Sequence, residues 1–354
     1  LLRRDKIREI LHKEHPDLVE VGDPYQLGWS AANMAHEMKL PVVSFYHSDY
    51  PRALGRTIKR FVWRGGSRTA EKWLRRYLLG LHNQMNATLV ASKRMLDILS
   101  GCGVKRLHLT PIGIDTNTFS PRNCRQRVRS ELGIDQERCL LLFVGRMSRE
   151  KNIKVLLNLI ELLESKHPAQ YHLLLVGQGH LDHKVRHAAE RLESITWRRH
   201  CDDSSKLAEY YSASDLFVHA GSVETYGLTV LEAQACGTPV VALRGGGTDG
   251  LNQAGDDFLA GRATAESFMA TVEVASGKTS EVLRQKVRED VVSRFNSQAT
   301  FNRQFEVYRH VLKVHAASLK EPHALGAGIL PQPDSFSTKD VSKTGKRKVP
   351  SRTV

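Results

Sequence analysis

Residues 213–247 read ASDLFVHAGSVETYGLTVLEAQACGTPVVALRGGG, and this stretch decides the fold. An apolar strand over 216–219 leads into a turn of small residues that carries Glu224. A compact helix bearing Glu232 follows, stops at Gly237-Thr238-Pro239, and gives way to a second strand over 239–243. Glycine just past the last periodic residue and proline beyond it end a helix, because glycine takes the left-handed conformation freely and proline cannot continue the ladder. Strand, loop, helix and strand in a parallel sheet put the loop and the helix N-terminus at the carboxyl edge, where ligands bind. The free N–H groups and partial positive charge of that terminus favour an anion, phosphate above all. Glu224 and Glu232, two acids beside an anion site, are then candidates for accepting hydrogen bonds from ligand hydroxyls, Glu232 from those of a ribose.

Two glutamates at one spacing say little, but the whole run is specific. Glu224-Thr225-Tyr226-Gly227-Leu228-Thr229-Val230-Leu231-Glu232, followed by Ala235-Cys236-Gly237-Thr238-Pro239 and a glycine-rich loop, resembles the signature of the retaining glycosyltransferases of family 4. An ordinary α/β crossover with solvated acids is the alternative reading. The resemblance implies the GT-B architecture, an α/β fold of two doubly wound Rossmann-like domains facing each other across a crevice. It assigns 1–115 to a partial acceptor-side domain, 116–137 to a linker, and 138–294 to a donor-binding domain for a nucleotide sugar. A helix over 295–318 then crosses back to the first domain, and 319–354 is a disordered basic tail. In the family the helix and strand that open this chain at Leu1 come midway through the first domain, after a glycine-rich loop, so either a fragment or a start lost in processing is expected.

A length of 354 residues fits two domains and a tail, and 41% hydrophobic with 25% charged residues is ordinary for a globular chain. A formal charge of +14 is not, and calls for an anionic partner: a phosphate-bearing substrate, an acidic lipid surface or nucleic acid. Five cysteines, Cys102, Cys124, Cys139, Cys201 and Cys236, show no paired metal-ligand spacing and suggest a reducing, cytosolic compartment. No apolar run is long enough to span a bilayer, and the charged start does not read as a signal peptide.

Before the linker, apolar strands near 17–21, 41–46, 87–91 and 106–109 alternate with helical segments, the grammar of a doubly wound sheet. The second ends in Phe45-Tyr46-His47-Ser48-Asp49-Tyr50-Pro51, which points His47 from the sheet edge toward the crevice. The resemblance gives His47 the place of the family's active-site histidine; a core histidine is the default for a residue so common here. Asp23, and Asp49 beside His47, are acceptor-side candidates, though Asp23 equally suits a loop cap. Between Arg52 and Arg76 nine lysines and arginines, Arg60, Arg64 and Arg68 among them, face one acid and are interleaved with Phe61, Trp63 and Trp73. Basic residues draw anionic headgroups while tryptophan settles at the interface, so the patch reads as membrane-facing or, alternatively, as a solvated basic hairpin.

In the second domain a strand over 139–144 ends in Gly145-Arg146, with Lys151 at the start of the next helix. A guanidinium fork and a compact ammonium flanking a strand-to-helix loop suit phosphate, and the resemblance gives both to the donor diphosphate. Gly177 and Gly179 after the strand over 171–176 permit close backbone approach beneath the nucleoside. Thr225, Tyr226, Gly227 and Leu228 complete the donor-binding set. Arg198-Arg199-His200 stands where relatives carry glycine, leaving the base open, and Thr248-Asp249-Gly250 replaces the usual proline and glutamate.

The expected chemistry needs neither metal nor cofactor. A nucleotide sugar of the GDP-mannose or UDP-glucose type is the co-substrate, and a lipid-linked or glycan acceptor receives the hexose with retention of configuration. The expected location is cytoplasmic, peripheral on the inner face of an anionic membrane, with no specific nucleic acid as partner. Glu224 orients the sugar and His47 contacts sugar or acceptor from the opposite domain. A nucleotide-sugar binding fragment without turnover is the alternative; a basic nucleic-acid binder, suggested by charge alone, lacks any recognition motif.

Overall fold

The computed structural model of the chain describes residues 4–46, 67–222, 224 and 226–320. Two parallel sheets organise them. The first has strands β1 (Val19–Val21), β2 (Val42–Tyr46), β3 (Ala87–Val90) and β4 (Leu107–Leu109), hydrogen-bonded in that order. Helices α1 (Arg4–Glu14), α2 (Gln26–Glu37), α3 (Ser67–His82) and α4 (Lys93–Cys102) precede or separate them. The second sheet comprises β5 (Cys139–Val144), β6 (Tyr171–Val176), β7 (Ile195–Arg198), β8 (Leu216–His219), β9 (Val240–Leu243) and β10 (Leu259–Ala260). Its spatial order is β10-β9-β8-β5-β6-β7, parallel throughout. Helices α5 (Arg125–Leu132), α6 (Ile153–Lys166), α7 (Asp182–Arg191), α8 (Ser204–Ala213), α9 (Leu228–Ala235), α10 (Ala265–Lys278), α11 (Glu281–Phe295) and α12 (Ser297–Lys320) complete the chain.

The second domain shows why its strands read as unbroken apolar runs. A parallel sheet is covered on both faces, so successive residues enter different cores. Leu141, Phe143, Leu173 and Leu175 pack with Ile153, Leu156 and Phe268 on one face, while Leu140, Leu142, Leu174 and Val176 pack with Tyr211, Val230 and Val291 on the other. Side chains close several helix ends: Ser92 caps α4 by accepting from Met95 N–H, and Thr264 and Ser280 do the same for α10 and α11. All five cysteines are unbonded.

The segment 116–137, expected as a polar linker, instead contains α5, docked on the second domain through Cys124, Val128 and Ile134. Arg129 lies wholly buried, donating to the carbonyls of Ala213, Gln136 and Arg138 and pairing with Asp215 at 2.6 Å. A charge-rich helix whose arginine finds partners only in the folded chain does not announce itself by hydrophobic period. The 3-residue-per-turn segments and β10 after residue 248 were likewise absent from the sequence reading.

The chain passes between domains twice at one place. Ile114 N–H donates to Phe295 O at 2.9 Å and Ser297 N–H to Ile114 O at 3.0 Å. Gly113 permits the crossing, since a Cβ there would meet Thr300 Oγ1 at 2.1 Å. From it α12 runs back across the first sheet, where Val311 joins Val43, Ala87 and Leu89 and His315 Nε2 reaches Lys39 O at 2.8 Å. This is the returning helix expected over 295–318; the tail after Lys320 lies outside the described residues.

Candidate functional site

The carboxyl edges of both sheets border a cavity of about 680 Å³. The first domain contributes Glu20, Gly22, Phe45 and Ile112, and the second contributes Lys151, Glu224, Tyr226, Gly227, Leu228 and Thr229. Four of the expected donor-side residues and the expected Glu224 therefore meet in one wall. They come from two adjacent strand ends: Lys151 from the loop after β5, the rest from the loop after β8 and the first turn of α9.

Glu224 is the electrostatic centre of that wall. Lys151 Nζ donates to Glu224 Oε2 in an ion pair, and His219 Nε2 lies 3.3 Å from the same oxygen. Burial pushes the carboxyl upward, but the His219 hydrogen bond and the Lys151 charge outweigh it and bring it down to about 2. His219, almost wholly buried at the end of β8, was not singled out from the sequence; its position five residues before Glu224 on an apolar strand was the only signal. Asn152 holds Lys151 in place. Its backbone is left-handed, with φ of 52°, and its amide donates to Ala220 O at 2.8 Å, tying the β5 loop to the end of β8. Asparagine tolerates that conformation better than most residues.

The helix entrance is equally specified. Gly227 precedes α9 with φ of 97°, and a Cβ there would stand 2.8 Å from Thr248 Cγ2. Tyr226 is buried and donates its hydroxyl to Ile112 O, so this expected donor residue also ties the α9 entrance to the crossing between domains.

Other expected residues are placed differently. Glu232 does not line the cavity; its carboxylate accepts from Tyr211 Oη at 2.9 Å, and burial raises its pKa. Arg146, in the loop after β5, is exposed and does not line the cavity; it lies 3.9 Å from Glu150. Gly177 and Gly179 are required by packing within the domain: a Cβ would meet Gly145 O at 2.0 Å in the first case and Met147 O at 2.5 Å in the second. Asp23 caps its own loop, accepting from Tyr25 N–H at 2.7 Å. His47, Asp49, Arg60, Trp63, Arg64 and Thr225 lie outside the described residues, and Arg68 falls in α3 where only the backbone is described. Among the described residues no cluster of histidine, cysteine or carboxylate groups fits a metal ion, and no helix is long and apolar enough to cross a membrane.

Comparison with known proteins agrees with this geometry. Residues 125–289 match the family model for glycosyl transferases group 1, and residues 1–118 match that for glycosyltransferase family 4. The chain is 30% identical over 246 residues to the alpha-monoglucosyldiacylglycerol synthase of Streptococcus pneumoniae, covering 67% of this chain and 54% of that protein. It is 30% identical over 236 residues to the GDP-mannose-dependent alpha-mannosyltransferase of Mycobacterium tuberculosis, covering 66% and 56%. The chain thus spans about half the length of the curated relatives it matches. Among solved structures, HepE from Anabaena in complex with UDP superposes with a TM-score of 0.70 at 16% identity, covering 87% of this chain and 82% of that one. That likeness fixes the architecture of two facing parallel-sheet domains.

Proposed function

The chain belongs to family 4 of the glycosyltransferases, and from that membership we propose that it moves a hexose, mannose or glucose, from a nucleoside-diphosphate sugar to a lipid-linked or membrane-surface acceptor with retention of configuration. The observation that carries the reading is Glu224, an anion held by His219 and Lys151 in the wall of a crevice between two sheet edges. A carboxyl at about pKa 2 is too weak a base to take a proton from an acceptor hydroxyl near neutral pH. Its role is to accept hydrogen bonds from the sugar and fix its orientation.

Charge on the leaving diphosphate grows as the bond to the anomeric carbon breaks. Cations and backbone donors placed where that charge appears lower the barrier. Lys151, with three donors, serves Glu224 and a phosphate oxygen together; Arg146 and the N-terminus of α9 add to it without a metal. The acceptor attacks on the face from which the diphosphate leaves, and a phosphate oxygen takes its proton. His47, next in the chain after β2, is the proposed first-domain contact. A membrane-surface acceptor, on the cytoplasmic face, is supported by the basic and aromatic 52–76 stretch and by the glycolipid named for one relative.

The test is the thermal midpoint with GDP, UDP, ADP and their sugar conjugates, followed by hexose transfer to vesicles containing diacylglycerol. A ligand at about a hundred times its dissociation constant adds about 2.7 kcal/mol. One base alone should stabilise, with the gain reduced in Arg146→Ala and the sugar's share lost in Glu224→Ala. Absence of a shift with every nucleotide overturns the donor site, and binding without transfer reduces the protein to a nucleotide-sugar binding module.

A further inference from the structure

One cation of the first domain, Arg94, stands against the loop that follows β9 in the second. Arg94 lies in the first turn of α4, and its Nη1 is buried and has no hydrogen-bond partner among the described residues. It abuts Gly247: a Cβ added there would lie 2.9 Å from Arg94 Nη1 and 2.5 Å from Glu224 O. The guanidinium thus reaches across the crevice to the loop that follows β9 and flanks the Glu224 backbone. The next residue, Thr248, has a buried hydroxyl that is also unpartnered.

Two physical costs make this placement informative. A buried guanidinium N–H without an acceptor loses its hydration and gains nothing in return. Arg94 and Lys93 also put positive charge in the first turn of a helix, where the macrodipole favours anions. Lys93 offsets its share by pairing with Asp97 at 2.5 Å, but Arg94 has no such partner among the described residues. A doubly charged oxyanion at the Gly247 loop removes both costs, accepting from Arg94 in the planar geometry that guanidinium and phosphate share.

We propose that Arg94 is a phosphate ligand supplied by the first domain, which binds a phosphate group lying against the Gly247 loop and so couples ligand binding to the apposition of the two domains. The inference rests on the glycosyl-transfer reading for the identity of the ligand, either the donor diphosphate or a phosphate on the acceptor.

The experiment uses the whole chain and compares wild type, Arg94→Ala, Arg94→Lys and Arg146→Ala by calorimetric titration with inorganic pyrophosphate, GDP, UDP and glycerol 3-phosphate. Without ligand, Arg94→Ala should melt at or above the wild-type temperature, because a buried N–H without an acceptor is removed; a lowered midpoint would instead mark a structural role and overturn the proposal. Weakening of pyrophosphate and nucleoside diphosphate by about tenfold or more in Arg94→Ala, partly restored in Arg94→Lys, supports a donor-diphosphate ligand. Weakening confined to glycerol 3-phosphate supports an acceptor phosphate. Equal affinity of wild type and Arg94→Ala for all four probes overturns the inference while leaving the transferase reading standing. Arg94-dependent binding of pyrophosphate with no binding of GDP or UDP keeps the phosphate site and removes the nucleotide-sugar reading, and a wild type that binds none of the four removes both.

Discussion

The two sheets of this protein obey one grammar yet are stabilised differently. The second has strands of up to six residues, buried on both faces by two continuous cores built mainly from its own helices. The first has strands of three to five residues and three smaller clusters, one of which is closed by Val311 from the far end of the chain. Ligand chemistry follows the same division. The second sheet's edge carries the Lys151–Glu224–His219 cluster on short loops pinned by Asn152 and Gly227, whereas the first contributes walls, including Glu20, which accepts from Tyr308 of the returning helix. A self-sufficient core lets a domain hold its site rigidly, while the partner that leans on a returning helix is free to be positioned by it.

Removing a central side chain of the stronger half should cost most. Phe268→Ala empties a fully buried site between α10 and the second sheet and should lower stability by about 3–5 kcal/mol in urea denaturation. If the midpoint hardly moves, the second domain is not the dominant core and the contrast fails.

Acid should blur the contrast. Each domain has a buried histidine whose pKa is strongly lowered: His82 is bonded to Ser44 Oγ at 3.0 Å and His172 to Thr196 Oγ1 at 2.9 Å, and burial lowers both to about 4. The unfolded chain takes up these protons near pH 6.5 and the folded chain only near 4, so stability is full above 6.5 and falls as pH drops through this window. Between pH 7 and 4.5 each histidine should cost about 2–3 kcal/mol. Replacing either one by glutamine should flatten the profile of its own domain alone, as read by amide exchange at several pH values.

The smallest effect is the sharpest test. Val311→Ala removes two methyl groups from the contact between α12 and the first sheet and should cost about 1–2 kcal/mol. Protection of the amides of β2 and β3 should fall while that of β5 and β6 stays unchanged. A uniform loss across both sheets would show one cooperative unit and abolish the distinction.

Much of this was legible in the chain. The alternation of apolar runs with helical segments placed the major strands of both sheets to within two residues, and the 213–247 stretch located the strand, loop, helix and strand that form the cavity wall. Lys151 and Glu224 were both selected from sequence. Their pairing was not, since 73 positions separate them and no local pattern joins them. Glu232 is read from sequence as a ribose contact beside the sugar-orienting Glu224; the structure turns its carboxylate toward Tyr211. Gly177 and Gly179 are read from sequence as allowing close backbone approach at the sheet edge; in the structure the backbone that comes close is that of Gly145 and Met147 in the neighbouring loop. The helix α5 was hidden because its stabilising partner for Arg129 is Asp215, far along the chain.

Sequence by itself determined the sheet class, the alternation that packs two helix layers on the second sheet, and the loop chemistry that sets Glu224 before a helix. These depend on periods of two and 3.6 and on glycine and proline stops, which are properties of neighbouring residues. Only the tertiary structure decided that Glu224 is held ionised by His219 and Lys151, that Tyr226 locks onto the crossing, and that Arg94 faces Gly247 from the other domain. Charge and hydrogen bonding act through space across a few ångströms, and those distances exist only after separate stretches of chain have packed together.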